Sequence, residues 1–281
     1  MKKEDETEEG RPLYRRLGGR ARTAFRRSLN VFDRATDPTG APVPPAHLRL
    51  YYYRTRDLAA FFRARDAVLT EVLTHGLTVG DRVLDIGSGI GNLALALAPT
   101  LTGTYDGIEI HPEAVAWCQR AISGRYPRVR FHQADVSSSA YNPGGRLTAS
   151  AYRFPFEDAS FDFVYLGSVF THMLPADVEH YVDEVGRLLA PGGTCAASFF
   201  LLNDARRDAV NAGRSFMSFH HPDQSGLARV HDPSRPEAAV ALNEQFVLDA
   251  YAKAGLRVDR IRPGDWWSGT ADDQDVVTAT R

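Results

Sequence analysis

Glycines at alternate positions directly follow a short apolar segment in the string VLDIGSGIGN, residues 83–92. Gly87, Gly89 and Gly91 in this arrangement predict a tight turn at the carboxyl end of a strand, where the backbone can approach a ligand closely. Such glycines can also serve only the packing of a helix against a strand. Asn92 stands where the dinucleotide fingerprint G-x-G-x-x-G has its third glycine, so a nicotinamide cofactor is the less favoured ligand.

Acidic residues lie close to this turn and at the ends of the next two apolar segments. Glu109 ends the string YDGIE, and a carboxylate at a strand end can accept hydrogen bonds from both hydroxyls of a ribose. Asp135 follows FHQA, where an Asx turn is the alternative to ligand binding. Asp85 precedes the glycines and could orient the amides of their turn. Combined with the turn, Glu109 favours a ribose-containing ligand.

His172, in the string SVFTHM, follows the fourth predicted strand at the sheet edge that faces ligands. A neutral imidazole there can take a proton from a hydroxyl or amine nucleophile, so His172 is the leading candidate for a general base. The alternative is that His172 caps or packs the following turn. An ionised carboxylate acceptor would need no base. His220, His221 and His231 lack ligand spacing with matching carboxylates, so no metal site is predicted.

These residues need a sheet whose strands end at a common edge, and the hydrophobic pattern predicts one. Strands are predicted at 82–86, 104–110, 129–133, 161–167, 194–201, 258–261 and 275–279. Helices are predicted at 58–73, 91–97, 112–123, 177–189 and 244–254. Their alternation predicts an α/β fold with a doubly wound, Rossmann-like sheet of seven strands, mostly parallel, with helices on both faces.

Two parts of the chain fall outside this alternation. Residues 1–45 are predicted to be a partly mobile N-terminal arm and linker, in which the arginine-rich segment 11–27 could form a basic amphipathic helix. Residues 46–281 are predicted to form the main domain. An insertion at about 203–243 interrupts it and is either a lid or substrate loop, or a tolerated surface insertion.

The string VLDIGSGIGN resembles motif I of the class I S-adenosylmethionine-dependent methyltransferases. The segment FPFEDASFDFVYLGSVFTHML, residues 154–174, resembles the region around the family's fourth strand. LLAPGG, residues 188–193, resembles the turn before the fifth strand. The resemblance extends from about Leu58 to the C-terminus.

This resemblance implies S-adenosylmethionine as the cofactor, with S-adenosylhomocysteine as its product. Glu109 would bind the ribose and Asp135 the adenine amino group, while Asp85 would help to hold the methionine end. Ile110 would pack against the adenine, and the Val136 backbone N–H would donate nearby. The full set of implied cofactor-binding residues is Asp85, Gly87, Ser88, Gly89, Glu109, Ile110, Asp135 and Val136.

Charge and composition limit the kinds of substrate and the cellular compartment that we expect for this protein. The formal net charge of -2 supplies no overall field to hold a polyanion, so a small-molecule substrate is expected and a nucleic acid is not. Cys118 and Cys195 lie in apolar segments, which favours buried thiols in a reducing, cytoplasmic compartment. The longest apolar stretch, residues 195–202, is too short to cross a bilayer. The oligomeric state is not predicted.

The favoured function is methyl transfer to a small hydroxyl-bearing metabolite or natural-product intermediate. Aromatic faces can hold a sulfonium, which makes Tyr51, Tyr52, Tyr53, Phe170 and Trp266 candidate pocket residues. The alternatives are a nicotinamide-dependent oxidoreductase and a non-catalytic module that binds S-adenosylmethionine and acts through partners.

Overall fold

The computed structural model describes residues 40–139, 141–269 and 273–281. The arginine-rich segment 11–27 and the rest of the predicted arm up to residue 39 lie outside these residues. The structure divides into two compact units, with the division between Ala64 and Arg65. In the first unit, helix α1 (Ala46–Tyr53) contains the buried Arg49, which donates hydrogen bonds to the carbonyls of Pro44 and Arg56.

Helix α2 (Leu58–Thr74) was predicted from sequence to within one residue. Asp57 caps its first turn, because its carboxylate accepts hydrogen bonds from the backbone N–H groups of Ala59 and Ala60 at 3.0 and 3.2 Å. Gly76 follows the helix with φ of 99°, a conformation that glycine adopts without strain.

Five parallel strands form the part of the sheet that positions the candidate site, in the order β3-β2-β1-β4-β5. They are β1 (Arg82–Ile86), β2 (Thr104–Glu109), β3 (Val129–Gln133), β4 (Phe161–Leu166) and β5 (Leu189–Leu202). β1 is central, with β2 on one side and β4 on the other. Because all five run in one direction, their carboxyl ends meet at one edge of the sheet.

Helices connect these strands at the predicted places. They are α3 (Asn92–Leu97), α4 (Pro112–Cys118), which continues as a π-helical turn over Gln119–Ser123, and α5 (Pro175–Leu188). The buried side of α5 includes Val178, Val182 and Val185, whose spacing is that of one helix face. This apolar face packs into the main hydrophobic core.

Two further strands complete the predicted set. β10 (Asp275–Thr280) pairs antiparallel with β5 and with β9 (Arg257–Arg262), and α7 (Glu244–Lys253) precedes β9. β5 is longer than expected, since its pairing with β4 begins at Leu189 instead of Thr194. The fold class predicted from sequence is confirmed.

The number of strands is larger than the predicted seven, since the described residues form a sheet of ten. The additional strands come from the segment 203–243, which was expected to be a lid or substrate loop or a tolerated surface insertion. This segment contains α6 (Asp204–Asn211), β6 (His221–Pro222), β7 (Ala228–Val230) and β8 (Val240–Asn243). β8 runs parallel to the end of β5, and β7 and β6 extend the sheet from it.

A buried charged group ties this segment to the sheet. Asp275 has no exposed surface, and its carboxylate lies 2.7 Å from a guanidinium nitrogen of Arg206 in α6. The same carboxylate accepts hydrogen bonds from the Leu201 and Gly264 backbone N–H groups and from the Trp266 indole N–H, at 2.8–2.9 Å. A buried charge with this many donors is fully compensated.

We predict that Asp275→Ala lowers the free energy of unfolding by about 3–5 kcal/mol, because it leaves the buried Arg206 guanidinium without its carboxylate. Urea denaturation measures this change. Glu179→Ala is the matched control: it removes an exposed ion pair with Lys253 and should barely move the midpoint. Equal midpoints for Asp275→Ala and the wild type would contradict the importance of this contact.

Candidate functional site

The glycine turn after β1 is built as expected. Gly87, Gly89 and Gly91 have φ angles of 76°, 55° and 76°, in the left-handed region that glycine adopts without strain. The backbone N–H groups of Gly87 and Ser88 both donate to the carbonyl of Ile108 in β2, at 2.8 and 2.9 Å. The turn is therefore fixed to the neighbouring strand.

Close packing also requires glycine at this turn. A Cβ atom on Gly87 would lie 2.5 Å from Cγ2 of Val169, in the segment after β4. A Cβ on Gly91 would lie 2.5 Å from Cδ1 of Ile122, in the π-helical turn after α4. Packing therefore accounts for glycine at these two positions, and it is compatible with the predicted approach of a ligand to the backbone.

Glu109 connects the end of β2 to the glycine turn. Its side chain is buried, and its Oε2 accepts a hydrogen bond from the Gly89 N–H at 2.8 Å. Its Oε1 accepts from the backbone N–H groups of Ile110 and His111 at 2.7 and 2.8 Å. The carboxylate predicted to bind a ribose therefore also holds the loop that would surround it.

Asp85 lies beneath the turn and is almost completely buried. The hydroxyl of Tyr105 donates a hydrogen bond to its carboxylate. Burial raises the pKa of Asp85 from 3.8 to about 7, and the nearby charge of Glu109 adds to this increase. Asp85 is therefore an acid that gains or loses a proton near neutral pH.

Two polar side chains at this turn are buried without a hydrogen-bond partner among the described residues. They are the hydroxyl of Ser88 and the carboxamide of Asn92, at the first position of α3. Only 7% of Ser88 and 4% of Asn92 is exposed. Since buried polar groups are normally paired, these atoms indicate a place for a polar ligand. In the sequence, Asn92 indicates only a departure from the dinucleotide fingerprint, although its position directly after the glycines was the available signal for a ligand contact.

Asp135 lies after β3, near Glu109, because the next residue back, Ala134, donates its N–H to the Glu109 carbonyl at 3.0 Å. The Asp135 carboxylate pairs with the side chain of Arg146 and accepts the Arg146 backbone N–H at 3.1 Å. The Arg146 guanidinium lowers the pKa of Asp135. Val136, beside it, is buried and forms a β-bridge with Leu147.

His172 ends a 3-10 turn, Phe170–His172, that follows β4. Its Nδ1 lies 3.0 Å from the carbonyl oxygen of Glu237, in the segment 203–243. The ring of Tyr141 meets the His172 ring edge-on, with centroids 6.1 Å apart. Burial lowers the pKa of His172, although the backbone of Glu237 and Ala238 and the charge of Glu237 partly oppose this effect.

The aromatic candidates occupy other environments. Phe170 is fully buried and stacks on Phe199, with ring centroids 4.8 Å apart. Trp266 is fully buried in a second apolar cluster, so both residues serve the core. Tyr51, Tyr52 and Tyr53 lie in α1, in the first unit.

Other sequence expectations concern metals, thiols and membranes. Among the described residues no group of three or more His, Cys, Asp and Glu side chains is arranged to hold a metal ion. Cys118 and Cys195 are free and buried. None of the described helices is long and apolar enough to cross a membrane.

In sequence, the chain is similar to proteins that are named as methyltransferases. A family model described as a methyltransferase domain matches residues 84–197. The 27-O-demethylrifamycin SV methyltransferase of Amycolatopsis mediterranei (strain S699) is 35% identical over 194 residues, which are 66% of this chain and 65% of that protein. The chain thus spans just under two thirds of the length of this curated relative.

Solved structures share the fold. A structure named as a SAM-dependent methyltransferase from Methanosarcina mazei aligns with a TM-score of 0.52 at 21% identity, covering 75% of this chain and 96% of that chain. The [4+2]-cyclase SpnF aligns with a TM-score of 0.50 at 18% identity, covering 78% of this chain and 81% of that chain. Identities this low show the fold alone.

The raised pKa of Asp85 makes folding stability depend on pH. Because the folded protein binds this proton more tightly than the unfolded chain, the stabilisation is full below pH 3.8 and is lost as the pH rises to about 7. In the wild type, ionisation of Asp85 should lower the free energy of unfolding by about 2–4 kcal/mol as the pH rises. We predict that Asp85→Asn, which cannot ionise, does not show this decrease. Urea denaturation at about pH 5 and about pH 8 measures it.

Asp249→Asn, at an exposed position on α7, is the matched control and should keep the pH dependence of the wild type. An unchanged pH dependence in Asp85→Asn would show that Asp85 is ionised throughout this range.

Proposed function

We propose that the chain is a class I S-adenosylmethionine-dependent methyltransferase and that it methylates an oxygen nucleophile of a small metabolite or natural-product intermediate. The observation that carries the proposal is the cradle after β1. There a left-handed glycine turn, the Glu109 carboxylate and the unpaired polar atoms of Ser88 and Asn92 face the same edge of the sheet. A ligand with both a ribose and a charged amino-acid end fits this donor set.

In this proposal different residues of the site bind different parts of the cofactor. Asp85, Gly87, Ser88 and Gly89 hold the methionine end, and the Asn92 carboxamide joins them. Glu109 accepts hydrogen bonds from the ribose, and Ile110 packs against the adenine. Asp135 and the Val136 backbone N–H bind the adenine edge, with Arg146 close to the same carboxylate.

When bound, S-adenosylmethionine supplies a methyl group on a positively charged sulfur. The chain's part is to align the acceptor with that group and to exclude water, and positioning alone lowers such a barrier substantially. His172 accepts the proton of a neutral acceptor hydroxyl. Its lowered pKa suits this role, since the imidazole is neutral near pH 7.

A small acceptor is supported by charge and by relationship. The formal net charge of -2 gives no general attraction for a nucleic acid. The relative from Amycolatopsis is named a 27-O-demethylrifamycin SV methyltransferase, and the O-demethyl in this name indicates an oxygen as its acceptor atom. Two buried thiols support a cytoplasmic location. The division into an arm, residues 1–45, and a domain, residues 46–281, with an insertion at 203–243 stays part of the proposal.

A second candidate is a protein that uses this fold without transferring a methyl group. One of the similar structures is named as a [4+2]-cyclase, so the fold by itself does not determine the reaction. A non-catalytic binding module likewise predicts cofactor binding without turnover. The match to a methyltransferase domain model argues against the nicotinamide-dependent alternative.

The decisive experiment is calorimetric titration of the full chain with S-adenosylmethionine and S-adenosylhomocysteine, with NAD as the control ligand. Binding of the first two alone supports the proposal and leads to an acceptor screen with methyl-labelled cofactor. In this screen hydroxyl-bearing small molecules, including O-demethyl rifamycins, come first. Absence of binding would reject the cofactor site. Binding without transfer to any acceptor would favour the second candidate.

We predict that Glu109→Ala and Gly89→Leu each weaken S-adenosylmethionine binding at least tenfold. The first removes a charge-assisted acceptor, worth about 1.5–3 kcal/mol, and the second places a side chain where the backbone must approach the ligand. Calorimetry measures both. Glu157→Ala, an exposed position before β4 and so near the opposite edge of the sheet, is the control. Wild-type affinity in both variants would remove the site assignment.

For His172→Ala we predict unchanged cofactor affinity and transfer slowed by about 100-fold or more, because only proton removal is lost. Labelled-methyl transfer to the acceptor found in the screen measures the rate. His180→Ala is the matched control, since its ring also bonds a backbone carbonyl, that of Tyr152. Equal rates in His172→Ala and the wild type would exclude His172 as the base.

A further inference from the structure

We infer that the segment 203–243 is a fixed positioning element for His172, in which the Glu237 carbonyl holds the imidazole with its proton on Nδ1 and its lone pair on Nε2. The inference rests on the proposed function, in which His172 is the base. It gives the segment a role that differs from that of a mobile lid or a neutral surface insertion.

The segment is built into the sheet. β8 pairs in parallel register with the end of β5, where Phe200, Leu201 and Leu202 lie opposite Ala241, Leu242 and Asn243. These β5 residues come after those that pair with β4. The segment therefore continues the sheet beyond the end of β4, the strand that leads to His172.

Charge and packing anchor the segment at a second place. Arg206 of α6 is buried and reaches both Asp275 and the Leu201 carbonyl, at 2.7 and 3.2 Å. An apolar cluster joins the segment to β5 and to the loop before β10; it consists of Phe200, Leu202, Val210, Phe219, Ala239, Ala241 and Trp266. A segment held by buried contacts of both kinds opens only at a high free-energy cost.

The short 3-10 turn Pro236–Ala238 brings the carbonyl to His172. The Ala238 N–H donates to the Arg235 carbonyl at 2.9 Å, and the His231 N–H donates to the Ala239 carbonyl at 3.1 Å. These bonds lie on both sides of Glu237 and fix the direction of its carbonyl. The position of the acceptor atom is thus determined by the segment's backbone and not by a flexible side chain.

The bond itself determines the tautomer. A carbonyl oxygen only accepts, so the nitrogen 3.0 Å from it, Nδ1 of His172, must carry the hydrogen. In a neutral imidazole the lone pair is then on Nε2, which is the atom able to take a proton. The ring of Tyr141 lies edge-on to the imidazole, and this contact restricts the rotation of the His172 ring.

A backbone carbonyl that accepts a hydrogen bond from a histidine affects the pKa of the imidazole differently from a carboxylate. An aspartate that holds a catalytic histidine also stabilises its protonated form. The Glu237 carbonyl orients the ring with only a partial charge. Burial lowers the pKa of His172, and this effect outweighs the opposing effects of the backbone hydrogen bonds and of the Glu237 charge. The segment therefore supplies orientation while the base stays neutral near pH 7.

The test is nitrogen NMR of the full chain with ¹⁵N-labelled histidine, which distinguishes the two neutral tautomers directly. His172→Gln assigns the signal among the nine histidines. At about pH 8, above the usual histidine pKa of about 6.5, the wild type should show His172 predominantly as the Nδ1–H form. A wild-type signal of the Nε2–H form would overturn the inference.

Ala238→Pro tests the carbonyl itself. A proline disfavours helical geometry at the preceding residue, Glu237, and removes the Ala238 N–H bond, so the carbonyl turns away. The Nδ1–H form should then lose its predominance, and transfer should slow by about tenfold or more with unchanged cofactor affinity. Unchanged signals of the other histidines show that the fold is retained. A retained tautomer would overturn the role of the carbonyl.

Glu237→Gln is the matched control, because it alters the side chain and keeps the carbonyl. Its tautomer and transfer rate should match those of the wild type; a change in either would assign the effect to the side-chain charge and contradict the inference. Measurements of cofactor binding and methyl transfer distinguish failure of the proposed function from failure of this inference. A wild type that does not bind S-adenosylmethionine rejects that function whatever the tautomer, whereas binding and transfer with an Nε2–H His172 reject this inference alone.

Discussion

The candidate site depends on the connection between the end of β2 and the turn that follows β1. The Ile108 carbonyl accepts two N–H groups from that turn, and the Glu109 carboxylate accepts a third from Gly89. Parallel pairing of β1 with β2 places both strand ends at the same level, since Ile86 lies opposite Ile108. The same carboxylate can then serve the loop and a ligand, which explains why an acid is placed there.

The acidic residues around this connection differ in pKa because they differ in burial. Asp85 lies deep beneath the turn, where burial brings its pKa to about 7, whereas Asp135 lies near the surface beside Arg146, which lowers its pKa. The two acids consequently differ in charge over part of the neutral range, although both serve the same edge of the sheet. A cationic sulfonium is better matched by such a site when Asp85 is ionised, and burial makes that ionisation costly in the absence of a cation.

On the other side of the site, the segment 203–243 adds strands and a backbone contact to His172 at the edge of the sheet. Its strands lengthen the sheet past β4, and its 3-10 turn reaches the candidate base. The buried Arg206–Asp275 pair and the cluster around Trp266 make this arrangement rigid. The proposed cofactor side and the proposed acceptor side are therefore held by different parts of the chain.

Sequence alone determined most of the helices and strands and the glycine turn with the acidic residues around it. Apolar periodicity predicted β1 and β3 to the residue, and the glycine spacing indicated the turn, because both depend on local preferences and on neighbours in sequence. Three features needed the tertiary structure. The strands of 203–243 are short and gain stability only by pairing with β5, the Asn92 carboxamide is recognisable only by its burial, and the Glu237 carbonyl meets His172 from 65 residues away. Such contacts leave no local pattern, since their energy comes from partners that only the folded chain brings together.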